Sequence, residues 1–169
     1  TAGATDAIHA VLATFTEPGA RVLVEHPTYP GVVELTHSLG GRCIPVPVDP
    51  DDTEGFVAAA DRAARQSAPT LAYFMPDFSN PSGARLPLHT RRQLSATMHR
   101  HSVLTIVDEV AADLSLDGSP DLEPFGAATP DIATVTIGST SKTVWGGLRV
   151  GWVRAEAGRL AHVAATYAR

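Results

Sequence analysis

The sequence predicts an α/β domain: a mostly parallel sheet covered by helices on both faces, a three-layer α-β-α sandwich. Three observations predict it. The apolar runs at residues 70–75, 103–107 and 132–137 are nearly continuous, without the alternation of a half-solvated strand. Segments of helical period separate most of the strands. The chain has 169 residues, 44% hydrophobic and 18% charged, which suits one domain with a sizeable core and excludes a disordered chain.

The elements follow in order. Ala7, Ile8, Val11, Leu12 and Phe15 recur at helical spacing over residues 4–15, and Pro18-Gly19 ends the helix. Residues 21–25 form a short strand. Pro30 opens a helix that Gly40-Gly41 stops. Residues 43–48 are apolar but carry Pro45 and Pro47, so they lie near a sheet edge or are irregular. An Ala-rich helix spans 54–67, and a strand spans 70–75. A turn-rich loop occupies 76–87, a helix 88–101 and a strand 103–107. Residues 132–137 and 148–153 supply two more strands. The chain ends within a helical pattern and begins without Met, so the expectation is a piece of a longer protein.

Composition narrows the function. The net charge is −5 and there is no basic patch, which excludes nucleic-acid binding through these residues. Cys43 is the single cysteine, so neither a disulfide framework nor a Cys-rich zinc site is available. No apolar run approaches the length of a membrane span and no signal peptide opens the chain; a cytoplasmic location with no membrane partner is expected. No Gly-x-Gly-x-x-Gly follows the first strand, no His-Glu-x-x-His occurs among the seven histidines, and no serine has a nucleophile-elbow context. No metal site is expected.

Ligands of open α/β sheets bind beyond the carboxyl ends of the strands. Three polar clusters fall there: Pro76-Asp77-Phe78-Ser79-Asn80-Pro81-Ser82-Gly83, Asp108-Glu109, and Gly138-Ser139-Thr140-Ser141-Lys142. A fourth, Gly3-Ala4-Thr5, precedes the first helix, where free N–H groups favour an anion. Read singly, each residue keeps two meanings. Lys142 suits a surface loop or a desolvated amine that attacks an aldehyde. Asp108 suits a turn, or the partner of a protonated ring nitrogen. Asn80 suits a plain turn. Arg149 suits a surface ion pair or a phosphate fork. Tyr29 suits core cover or stacking on a flat ring.

Their order is more specific than any one of them. Gly3-Ala4-Thr5, Glu25-His26-Pro27-Thr28-Tyr29-Pro30-Gly31, Asn80-Pro81-Ser82-Gly83, Asp108-Glu109 and Ser139-Thr140-Ser141-Lys142 with Arg149 resemble the large domain of fold-type I pyridoxal-phosphate enzymes, the class I/II aminotransferases. The resemblance covers essentially residues 1–169 and implies an aspartate-aminotransferase-like large domain, cut at both ends, with pyridoxal 5'-phosphate as cofactor. It implies that Lys142 is the Schiff-base lysine and proton shuttle, and Asp108 the partner of the pyridine nitrogen. Asn80 is then the donor to the ring's 3-oxygen and Tyr29 the stacking aromatic. Ala4, Thr5, Ser139, Ser141 and Arg149 grip the phosphate.

The stretches Glu25-His26-Pro27-Thr28-Tyr29-Pro30, Tyr73 to Gly83, Leu114-Ser115-Leu116-Asp117-Gly118 and Ser141 to Trp152 are most similar to the aminotransferase-like domain of MocR-type regulators of the GntR family. In those proteins a winged helix-turn-helix domain binds DNA, and the cofactor domain senses an effector and dimerises. Three departures qualify the match. Ala111 stands where the enzymes carry a tyrosine that donates to the 3-oxygen. Thr5-Asp6 replace polar Gln residues, so Asp6 should face away from a phosphate. The small C-terminal domain, source of the substrate-carboxylate arginine, lies outside these residues, as does any DNA-binding domain. Ala111 favours an effector-sensing and dimerisation domain of a MocR-like regulator. The alternative is the large domain of an aminotransferase moving an amino group between an amino acid and a 2-oxo acid. Either implies an amino-compound ligand and a homodimer.

Overall fold

The computed structural model describes residues 1–116, 123–126 and 133–169. Ile132 and the Asp117-Gly118 part of the regulator-like stretch lie outside them. Eleven regular elements run α1 (Ala4–Phe15), β1 (Arg21–His26), α2 (Pro30–Ser38), β2 (Arg42–Pro47), α3 (Thr53–Ser67), β3 (Leu71–Phe74), α4 (Leu88–Arg100), β4 (Leu104–Asp108), β5 (Thr134–Ser139), β6 (Gly151–Arg154) and α5 (Ala157–Tyr167).

The six strands form one sheet in the order β2-β1-β3-β4-β5-β6. The first five are mutually parallel and β6 is antiparallel to β5. The near-continuous apolar strands do serve two cores. Val22 and Val24 of β1 pack with Leu71, Tyr73 and Ile106 against Ile8, Val11 and Leu12 of α1. Leu23, Ala72, Phe74 and Val107 point the other way, to Phe56 of α3 and to Leu94 and Met98 of α4. Period-two side-chain alternation therefore feeds both helix layers from the same strands.

Pro45 and Pro47 fall on β2, which is an edge strand paired only with β1, where missing N–H donors are tolerated. The strand expected at 148–153 is corrected. Gly146–Leu148 is a short 3-10 turn, Arg149 takes left-handed φ of 54°, and the strand starts at Gly151. A non-glycine residue at positive φ breaks the extended backbone there. Among the described residues no helix is long and apolar enough to cross a membrane.

The long loop between β3 and α4 is stapled internally. Arg91 of α4 is fully buried and its guanidinium meets Asp77 at 2.5 Å. The same side chain donates to the carbonyls of Leu86 and Pro76. A buried charge pair with its remaining donors satisfied is costly to break, at about 3–5 kcal/mol for loss of one partner.

Candidate functional site

A cavity of about 460 Å³ opens at the carboxyl ends of β1, β3 and β4 and at the amino end of α1. Its wall includes Lys142, Asp108, Asn80 and Tyr29, and the phosphate-side candidates Ala4, Thr5, Ser141 and Arg149. Parallel strands all deliver their following loops to one end of the sheet, which is how residues so far apart in sequence meet.

The carboxylate end is half-buried. Asp108 Oδ2 accepts the Tyr73 hydroxyl at 2.6 Å, and Oδ1 accepts the Val110 N–H at 3.0 Å. Burial raises the Asp108 pKa, against the lowering effect of those two donors. Burial and the Asp108 charge push the Tyr73 phenol well above its ordinary range, so it stays a donor. Tyr73 stood in the sequence only as the start of a regulator-like stretch in an apolar strand, with no role of its own. Its partner lies two strand positions past the register mate Ile106.

The anion end is open. α1 has Gly3 at its N-cap with φ of 111° and no side-chain cap, so its first N–H groups point outward unclaimed by side chains. The Arg149 guanidinium lies directly over this end: a Cβ added to Gly3 would come within 3.3 Å of Nη2. A Cβ on Gly151 would sit 2.6 Å from the Gly3 carbonyl carbon, so close backbone approach requires glycine at 151, while Gly3 is required by its positive φ. The Gly151 N–H donates to the Thr1 carbonyl at 3.0 Å and ties the two segments. Asp6 turns away as expected. Its Oδ2 accepts from the Ala2 N–H and the Tyr167 hydroxyl, and these bonds, the tyrosine's first, lower its pKa. Tyr29 reaches the same end, with its hydroxyl 3.3 Å from Thr5 Oγ1 and its ring over Gly31.

Two candidates are placed differently from expectation. Ser139 is buried and lies outside the cavity wall. Its hydroxyl bonds the Val150 carbonyl and Ser141 Oγ, and receives the Ser141 N–H. It braces the turn that carries Ser141 and Lys142. Lys142 is exposed at the cavity mouth, not desolvated as its apolar strand and glycine neighbours suggested. Ala111 lines the cavity, so no hydroxyl is offered from that position. Glu109, next to Asp108, lines a separate cavity of about 260 Å³ with Asp77 and Arg154. Burial raises its pKa, and the Phe125 N–H that it accepts opposes this.

Phe78, beside Asn80, holds φ of 48° under the Arg85 guanidinium, 5.0 Å from its ring centroid. A bulky residue in the left-handed region is strained, by about 1–3 kcal/mol, and such strain concentrates at ligand sites.

The residues present fit pyridoxal phosphate. A guanidinium over an uncapped helix end suits a phosphate dianion, and a tyrosine-held carboxylate sharing one cavity with a lysine suits a protonated ring.

The family model described as aminotransferase class I and II matches residues 1–169. The arginine–pyruvate transaminase AruH of Pseudomonas aeruginosa is 36% identical over 166 residues, covering 96% of this chain and 41% of that protein. The HTH-type transcriptional regulator YdcR of Escherichia coli is 32% identical over 156 residues, covering 92% of this chain and 33% of that one. Among solved structures, the alpha-aminoadipate aminotransferase LysN of Thermus thermophilus, complexed with N-(5'-phosphopyridoxyl)-L-leucine, superposes with a TM-score of 0.90 at 25% identity. It matches over 99% of this chain and 43% of that one. The chain thus spans less than half the length of these relatives.

Proposed function

Since the chain belongs to the class I and II aminotransferases, a fold whose cofactor is pyridoxal phosphate, we propose that it is the cofactor-binding large domain of an amino-group-transferring enzyme. One observation carries this reading. A single cavity holds the amine of Lys142, the tyrosine-held carboxylate of Asp108 and the guanidinium of Arg149.

When bound, pyridoxal phosphate supplies an electron sink for the pair left as a bond to the amino substrate's α-carbon breaks. The chain's own residues do the rest. Arg149 and the α1 N-terminus bind the phosphate dianion, with Thr5 and Ser141 hydroxyls beside it. Asp108 holds a proton opposite its carboxylate, and the Tyr73 hydroxyl helps keep that carboxylate ionised. Asn80 orients the ring edge, and Tyr29 covers it. Lys142 Nζ takes a proton from the substrate carbon and returns it, as general base and then acid.

A second reading remains specific: an effector-sensing domain of a MocR-like regulator, supported by 32% identity to YdcR and by Ala111 in the cavity wall. The 36% identity to a transaminase favours the enzyme. The test is an absorption titration of the full protein with pyridoxal phosphate, with Lys142→Ala as control, followed by a panel of amino acids and 2-oxo acids. A visible band lost in the variant, changed by an amino acid and restored by a 2-oxo acid, supports the enzyme. A lysine-dependent band that never turns over transfers the protein to the sensor reading.

A further inference from the structure

The penultimate residue of strand β1 is a carboxylate that takes no part in the site described above. Glu25 is 2% exposed. Its Oε1 accepts the Met75 N–H at 2.8 Å and its Oε2 accepts the Ser79 hydroxyl at 2.5 Å. These donors bracket the start of the loop after β3, and the residue after Ser79 is Asn80. Ser79 is itself 2% exposed and is the hub of its turn. Its N–H donates to the Ala84 carbonyl at 2.9 Å, and its own carbonyl accepts the Gly83 N–H at 2.6 Å.

The loop is therefore held at two points. Asp77 is pinned to Arg91 and Arg85, and Ser79 is pinned back to β1 through Glu25. Asn80 is exposed and projects from the second anchor into the cavity wall. A buried carboxylate is an expensive way to hold a turn unless the position of that turn matters. Loss of the side chain would leave a buried amide N–H and a buried hydroxyl without their acceptor, free to shift the turn.

We propose that Glu25 is a positioning residue: through Ser79 it fixes Asn80 against the pyridoxal-phosphate cavity. The proposal rests on the role given to Asn80 above. It acts by hydrogen bonding, so a neutral amide of the same shape should serve. Glutamine can accept from the Met75 N–H and donate to Ser79 Oγ.

The experiment is a double-mutant cycle in the full protein, read as the dissociation constant for pyridoxal phosphate and the position of its visible band. Glu25→Ala is expected to weaken binding about tenfold, the usual scale of one lost buried hydrogen bond to a charged group. Glu25→Gln is expected to restore binding to within about twofold by the same scale. In an Asn80→Ala background, Glu25→Ala should add nothing further. Ser79→Ala repeats the cycle if Glu25→Ala does not fold. An equal loss in both backgrounds would overturn the proposal, because Glu25 would then act elsewhere. An Asn80→Ala variant with unchanged binding and band would remove the role of Asn80, and this proposal with it. In that case a band still lost in Lys142→Ala leaves the cofactor reading standing.

Discussion

Glu25→Gln also makes a stability prediction with a sign and a size. Burial pushes the Glu25 carboxyl from 4.5 up to about 7, against the lowering effect of the Ser79 and Met75 donors; Asp108 adds repulsion. Between those two values the folded protein keeps a proton that the unfolded chain has released. Stability therefore falls as pH rises through this window and is lowest above it. At 1.36 kcal/mol per unit, a shift from 4.5 to about 7 amounts to roughly 3 kcal/mol of stability lost. Glutamine carries no charge to desolvate and keeps both hydrogen bonds. The variant should match wild type near pH 4 and exceed it by up to roughly 3 kcal/mol at pH 8. Asp108 and Glu109 have raised values too, so wild type alone mixes several groups. The difference between the two proteins reports Glu25 together with its repulsion of Asp108. The assay is urea unfolding of the full protein at half-unit steps from pH 4 to 8. A difference that stays flat, or glutamine less stable at pH 8, would refute the reasoning.

Tyr73→Phe removes the only side-chain donor seen on Asp108 Oδ2 among the described residues, and should weaken pyridoxal-phosphate binding about ten- to hundredfold in an absorbance titration. Arg149→Ala should cost pyridoxal phosphate at least tenfold in affinity while leaving the binding of pyridoxal, which lacks the phosphate, within about twofold; equilibrium dialysis with both ligands checks it. Gly151→Ala places a Cβ 2.6 Å from the Gly3 backbone and must push α1 off Arg149. It should lower thermal stability by about 1–3 kcal/mol of overpacking and weaken phosphate-dependent binding, read by calorimetry with and without the cofactor.

The sheet was legible because its strands carry their burial in their composition. Residues 70–75 and 103–107 are apolar on both parities, and β3 and β4 are indeed sandwiched. Pro45 and Pro47 marked the edge. The antiparallel β6 was missed, although a signal existed. Only eleven residues separate Ser139 from Gly151, too few for the helical crossover that a parallel neighbour needs. The Gly146-Gly147 pair was a further warning that 148–150 is a turn. The cavity residues were found by order along the chain, which a shared fold preserves. Tyr73 and Glu25 were not, because each looks like ordinary strand sequence. Their partners stand 35 and 54 positions away, and only the register of three strands reveals them. The bracing bonds of Ser139 were not legible, because a serine near Lys142 reads the same whether or not it also folds the turn.

The anion end of the cavity joins residues 3–5 to residues 149–151, nearly the whole length of the chain apart. A dianion finds both halves only after the sheet has closed from β1 through to β6. Neither segment alone is a complete phosphate cradle. A phosphate gripped by both would stabilise the folded state by mass action, and its tight capture would report that the two far segments of the chain have met.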